Sequence, residues 1–279
     1  MWALKLISKL PFSVLYVLSD FLFFLVYRVV RYRKKVVLEN LNRAFPEKPE
    51  QEIKQISKDY YLNFTDTVVE IIKSISISKE ELEKRVYVSN PEEVVNTLNS
   101  GQSIILLASH QCNWEWQSLG PSATYGIRID PVYKQLSSPF FDQLMTYIRE
   151  RFGGKVIEKD VAAKEIENRV GKGIGIGLVG DQSPQHAKQA QWVDFLGLDT
   201  PFYFGPTYLA KKYNFPAYYA YMHRLKRGYY QIDVIPVGKP PYKKEDDIVS
   251  QFAKEIEKTI REHPADWLWS HRRWKLKRK

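Results

Sequence analysis

From Val86 onward, short apolar runs alternate with amphipathic stretches of helical length, and this alternation limits the fold more than any other feature of the chain. Residues 103–108, 127–133, 175–179, 217–223 and 229–237 read as strands, and 139–152, 162–169, 206–213 and 246–263 as helices. Strands separated by helices predict an α/β sheet with covered faces. Residues 31–74 read as amphipathic helix, broken at Phe45-Pro46-Glu47-Lys48-Pro49. The longer part, 49–74, carries Ile53, Ile56, Tyr60, Tyr61, Phe64, Val68 and Ile71 at helical spacing. No repeat or linker divides the 279 residues, which suffice to bury a sizeable core.

Residues 10–30 are mostly apolar over about one bilayer-spanning length. Asp20 and Arg28 interrupt the run, and Lys5 and Lys9 precede it. No small-residue cleavage site precedes the basic cluster Arg28, Arg31, Arg33, Lys34, Lys35, which argues against a signal peptide. A spanning helix and a helix lying in the interface both fit, and Asp20 is costly in hydrocarbon unless it faces protein. The net charge of +10 points to an anionic partner. A second basic cluster, Arg272, Arg273, Lys275, Lys277, Arg278 and Lys279, closes the chain. Eighteen Tyr and seven Trp suit a membrane surface or a greasy groove. A single cysteine excludes an intrachain disulfide framework and a cysteine-based zinc cluster, and suits a reducing, cytoplasmic setting.

His110-Gln111-Cys112-Asn113-Trp114-Glu115 follows the apolar run 103–109 directly. Five steps turn a side chain by about 140° on a helix and to the opposite face on a strand, so neither regular element joins His110 to Glu115. A strand ending at His110 and turning into a helix near Trp114 could join them. Glu115 would then hold one ring nitrogen and leave the other free to take a proton. A surface histidine beside a helix-start glutamate fits the spacing equally well.

Gly175-Ile176-Gly177-Leu178-Val179-Gly180 spells the dinucleotide pattern, but its glycines run through the strand instead of joining strand to helix, so a nucleotide cofactor is not expected. Cys112 is a poor candidate nucleophile, because a catalytic thiol needs a base brought to it by the fold. Histidines 110, 186, 223, 263 and 271 lack ligand spacing, and no metal site is expected. Asp181-Gln182 follows a strand end, as does Tyr133-Lys134, and Arg149 and Arg151 lie at the end of the next helix. A base–carboxylate pair with several cations at strand ends suits an anionic substrate. The apolar start makes a lipid a fitting one.

Taken together, the chain resembles the lipid A biosynthesis (lauroyl/myristoyl) acyltransferases, within the lysophospholipid acyltransferase superfamily. The likeness rests on Tyr32-Arg33-Lys34-Lys35-Val36-Val37, Asn40-Leu41-Asn42-Arg43-Ala44-Phe45-Pro46, the His110-x4-Glu115 motif, Arg149-Glu150-Arg151-Phe152-Gly153, Gly180-Asp181-Gln182, Phe195-Leu196-Gly197, and above all Pro264-Ala265-Asp266-Trp267-Leu268-Trp269-Ser270-His271-Arg272-Arg273-Trp274-Lys275. Lys134 and Gln135 depart from the family's Tyr-Arg-Pro. The resemblance implies a membrane anchor over 1–35 and an acyltransferase domain over 36–279. In that domain a helical part, 36–85, leads into a mixed sheet covered by helices over 86–279. It implies transfer of a fatty acyl chain, without a cofactor, from acyl carrier protein to a hydroxyl of a lipid A precursor. The setting would be the cytoplasmic face of a bacterial inner membrane.

His110 would act as general base oriented by Glu115, with Lys134, Arg149, Arg151, Asp181 and Gln182 binding substrate. Residues 201–204, Pro-Phe-Tyr-Phe, fit either an acyl channel or ordinary core. A lysophospholipid or aminolipid acceptor is the second reading. A membrane-tethered module using its basic tail for nucleic acid is the third, and no nucleic-acid motif supports it.

Overall fold

A computed structural model describes residues 2–186 and 190–278. Five helices open the chain: α1 (Trp2–Ser8), α2 (Phe12–Phe23), which continues as a π-helical turn over Phe24–Val29, α3 (Lys34–Ala44), α4 (Glu50–Lys73) and α5 (Lys79–Arg85). The break between α3 and α4 falls at the expected Pro46 and Pro49, because proline cannot continue a helix but starts one readily. Glu50 and Glu52 at the start of α4 and Lys73 at its end match the helix dipole.

The alternating part follows as β1 (Val86–Val88), α6 (Glu92–Asn99), β2 (Ile104–Ala108), α7 (Trp116–Tyr125), β3 (Arg128–Tyr133), α8 (Pro139–Glu150), β4 (Ile157–Glu158), α9 (Ala162–Glu167) and β5 (Ile174–Val179). After it come β6 (Ala190–Phe195), β7 (Leu198–Tyr203), α10 (Gly205–Tyr213), β8 (Ala217–Lys226), β9 (Tyr229–Gly238) and α11 (Ile248–Glu262). The main sheet runs β1-β9-β8-β2-β5-β3-β4, parallel throughout except for the β8–β9 hairpin. It is therefore the mixed, helix-covered sheet expected of the chain. All five strands read from the sequence are present.

Strand β2 lies at the centre, and Ile104, Ile105 and Leu107 are inaccessible to solvent. The glycines of β5 serve close packing. A Cβ at Gly175 would stand 2.9 Å from Leu106, and one at Gly177 3.3 Å from Pro131; just beyond the strand, one at Gly180 would stand 2.9 Å from the Phe252 ring. The β6–β7 hairpin was not foreseen. It turns on Leu196 (φ 55°) and Gly197 (φ 71°), a two-residue turn with both central residues left-handed.

Candidate active site

The register between β2 and β5 builds the site. Ala108 and Val179 are partners in the parallel ladder, and the Gly180 N–H donates to the Ala108 carbonyl (3.0 Å). His110 and Asp181 each lie two residues further on, beyond the carboxyl ends of neighbouring strands, where α/β sheets gather reactive groups. Asp181 Oδ1 stands 2.6 Å from His110 Nδ1. Its Oδ2 accepts from the His110 backbone N–H (2.8 Å) and the Trp267 indole N–H (2.7 Å). Burial works against the ionised Asp181, but the His110 ring, its backbone N–H and Trp267 outweigh it and hold the carboxyl below its usual range. Nδ1 donating to Asp181 leaves the lone pair on Nε2, 3.1 Å from the side-chain nitrogen of Gln182. The Trp114 ring packs against the imidazole at 5.3 Å, and a crevice lined by Tyr60, Phe64, His110, Trp114 and Leu268 opens beside it.

The loop from Ser109 to Glu115 is tied down along its length. Asn113 Oδ1 accepts from the Trp116 N–H at the start of α7, and Asn113 Nδ2 donates to the buried carboxylate of Glu70 (3.0 Å). Cys112 takes a left-handed conformation (φ 51°). Gln111 pairs with Trp267 in an isolated antiparallel bridge. Around it the Leu268 N–H donates to the His110 carbonyl, and the Cys112 N–H to that of Asp266. The segment from Pro264 to Trp274 is thus a strap over the histidine loop. Asn40 holds the strap from α3, donating to the carbonyls of Trp269 and His271. His271 Nε2 accepts from the Ser183 N–H (3.3 Å).

Across residues 1–276 the chain matches the family model described as bacterial lipid A biosynthesis acyltransferase. The chain belongs to this family. It is 26% identical to a lipid A biosynthesis acyltransferase of Haemophilus influenzae, over 82% of this chain and 72% of the relative. It is 23% identical to the lipid A biosynthesis lauroyltransferase of Escherichia coli, over 98% of this chain and 89% of the relative. A lipid A biosynthesis acyltransferase 2 of Shigella flexneri is 21% identical over 87% and 77%. The protein is an acyltransferase.

Within this acyltransferase, one expected contact is replaced by another. Glu115 does not hold the imidazole; Asp181 does. Both Glu115 oxygens accept from the Arg149 guanidinium at the end of α8 (2.7 and 2.9 Å), and the carboxylate is buried at the start of α7. The reason is geometric. The turn after His110 carries Glu115 towards α8, while the β2–β5 register delivers Asp181 directly to Nδ1. Arg149 is accordingly engaged with protein; partial burial works against its charge, and Glu115 outweighs this and keeps the guanidinium charged. Arg151, also expected at the substrate, donates to the carbonyls of Ser74 and Ile77 just past α4.

Lys134 is exposed beyond β3 and makes no side-chain hydrogen bond among the described residues. Gln182 reaches Nε2, and Asp181 reaches Nδ1. Burial pushes the Cys112 thiol up, leaving it protonated and unsuited to attack. Phe202 of the 201–204 stretch is buried beneath the guanidinium of Arg273, which lies 4.4 Å from its ring. Trp267 is the site residue that sequence reasoning did not single out. Its signal was the aromatic C-terminal segment, which carried the family resemblance but no assigned role.

Proposed function

We propose that the acyltransferase moves a fatty acyl chain from an acyl thioester, carried on acyl carrier protein, to a hydroxyl of a lipid A precursor. The transfer takes place at a membrane surface, the cytoplasmic face of a bacterial inner membrane, with His110 as general base. The observation that carries this reading is the His110–Asp181 pair at adjacent strand ends, beside a crevice at the protein surface. The family and its named relatives favour lipid A as the acceptor. The basic balance of the chain suits both a phosphorylated lipid and an acidic carrier.

In this reading the acceptor hydroxyl displaces the Gln182 amide from Nε2. His110 takes the hydroxyl proton as the oxygen attacks the thioester carbon, and Asp181 stabilises the imidazolium that forms. Collapse of the tetrahedral intermediate breaks the carbon–sulfur bond, and His110 returns the proton to the departing thiolate. No enzyme nucleophile is acylated. The displaced Gln182 amide, now free, supplies a side-chain donor beside Nε2 for the developing oxyanion. Glu115 and Arg149 position the loop and α8 and take no part in proton transfer.

The test is transfer by the purified enzyme from acyl carrier protein thioesters to a lipid A precursor, compared with lysophospholipid and aminolipid acceptors. His110→Ala should lower the rate on the order of 10³-fold. Faster transfer to a glycerolipid or aminolipid would move the assignment to the second acceptor class, and full activity of folded His110→Ala would end the mechanism.

A further inference from the structure

We infer that residues 2–30 attach the enzyme to a single leaflet, lying along the surface of an anionic phospholipid bilayer and not crossing it. This deepens the membrane association proposed above and rests on that reading only for the presence of a bilayer.

The segment has two faces, and both are occupied in a definite way. One face is exposed and apolar: Leu6 on α1, Leu10 in the break before Pro11, and Val14, Val17, Phe21 and Phe24 at three- to four-residue spacing along α2 and its continuation, one side of that helix. Val17 is 69% exposed and Phe21 57%. The opposite face is docked on α4 along its whole length, the two helices running antiparallel. Ser76 Oγ donates to the Ser8 carbonyl, and Lys73 Nζ to that of Leu10. Further along, the Tyr16 hydroxyl donates to Glu70 (3.0 Å) and the Ser19 hydroxyl to Asp66 (2.7 Å). Asp20 pairs with Arg227 (2.6 Å), which also pairs with Asp66. Beyond the π-helical turn, Tyr61 donates to the Tyr32 carbonyl.

A crossing orientation is incompatible with these contacts. The run from Phe12 to Val29 is long and apolar enough to cross by length and composition alone, so its contacts decide. Placed across a bilayer, its middle would fall near Asp20. Arg227 and the buried Asp66 and Glu70 touch that middle and would be carried with it; Asp20 and Arg227, both partly exposed, would then face hydrocarbon, where each charge costs about 3 kcal/mol or more. Leaving them behind would strip Tyr16, Ser19 and Asp20 of their partners inside hydrocarbon. Lying flat avoids both costs. The stripe enters the acyl region while the polar edge stays in protein, as in other interfacial helices.

Charge selects the lipid. Lys5, Lys9, Arg28, Arg31, Arg33 and Lys35 are exposed around the stripe and would meet an anionic headgroup layer. Arg33 also donates to the Ser270 carbonyl of the strap (3.0 Å), so the bilayer surface and the candidate active site are joined through one side chain.

The test labels the full-length enzyme with a membrane-impermeant maleimide in sealed, inverted inner-membrane vesicles. Single cysteines are placed at Lys9→Cys or Lys35→Cys in a Cys112→Ala background. Both positions should label from the same face. A companion Val17→Glu/Phe21→Glu variant should move from vesicles containing phosphatidylglycerol to the soluble fraction while keeping its thermal midpoint. Labelling of the two positions from opposite faces would overturn the inference, as would a stripe variant that stays bound. Neither readout involves acyl transfer. A failed transfer assay with single-face labelling would therefore remove the proposed function and leave the attachment standing.

Discussion

His110 and Asp181 meet because β2 and β5 are parallel, adjacent and in register, each residue lying two positions beyond its strand. Asp181→Asn keeps the size of the side chain but removes the charge and can offer an N–H to Nδ1, favouring the tautomer that cannot accept at Nε2. A fall in kcat of about 10²- to 10⁴-fold is expected, with KM little changed. The double variant His110→Ala/Asp181→Asn should be no slower than His110→Ala, since the two act as a unit. Losses that multiply would separate Asp181 from the base.

Glu115, which is buried, and Arg149, which is half-buried, form a two-pronged ion pair. Glu115→Ala leaves the half-buried guanidinium without its partner, and a loss of about 3 kcal/mol in urea unfolding is expected. Glu115→Leu/Arg149→Met removes both charges and should recover most of that stability. If the double variant also regains transfer activity, the pair acts by holding the histidine loop; if it is stable but inactive, one of the two charges serves the reaction itself.

Much of this arrangement was legible in the sequence. The strands announced themselves because β2 and β5 are short apolar runs and β8 and β9 are rich in aromatic and β-branched residues, and the helix breaks because Pro46 and Pro49 fall between periodic stretches. His110 was found from the strand before it. Its partner was misread because motif spacing reports chain distance, whereas a parallel sheet joins residues 71 positions apart. Strand order and register decide that contact, and neither is written in one short motif. The β6–β7 hairpin escaped for another reason: β6 is mostly half-buried and β7 buries three consecutive residues, so neither strand alternates cleanly. Strap residues such as Trp267 look like ordinary core aromatics until the bridge to Gln111 places them.

Burial lowers His271 from 6.5 to about 4; the Asp181 charge opposes this, and Arg273 and His110 add to it. The unfolded chain takes up a proton near 6.5 while the folded protein refuses it until about 4. The folded state therefore binds fewer protons in this window, and stability should fall as pH drops from 6.5 towards 4. Above 6.5 the group contributes no slope. Urea unfolding at pH 7.5 and 5.5, compared with His271→Gln, measures it: the variant should show a smaller loss between the two values. An equal loss would mean that His271 titrates as an exposed imidazole.

Arg151 separates structural cations from substrate-binding ones. Its guanidinium donates to the carbonyls of Ser74 and Ile77, closing the chain where α4 ends and the link to α5 begins. Carbonyls at a helix end lack intrahelical partners, and a charged donor satisfies them strongly. Arg151→Met should cost about 2 kcal/mol in unfolding, from hydrogen bonds that involve a charge. KM for the lipid acceptor should stay near the parent value at temperatures where the variant is folded, while the thermal midpoint drops. Arg151→Lys, with one compact charge in place of a planar fork, should recover only part of the loss because it cannot reach both carbonyls in the same geometry. A raised KM at unchanged stability would return Arg151 to the substrate site.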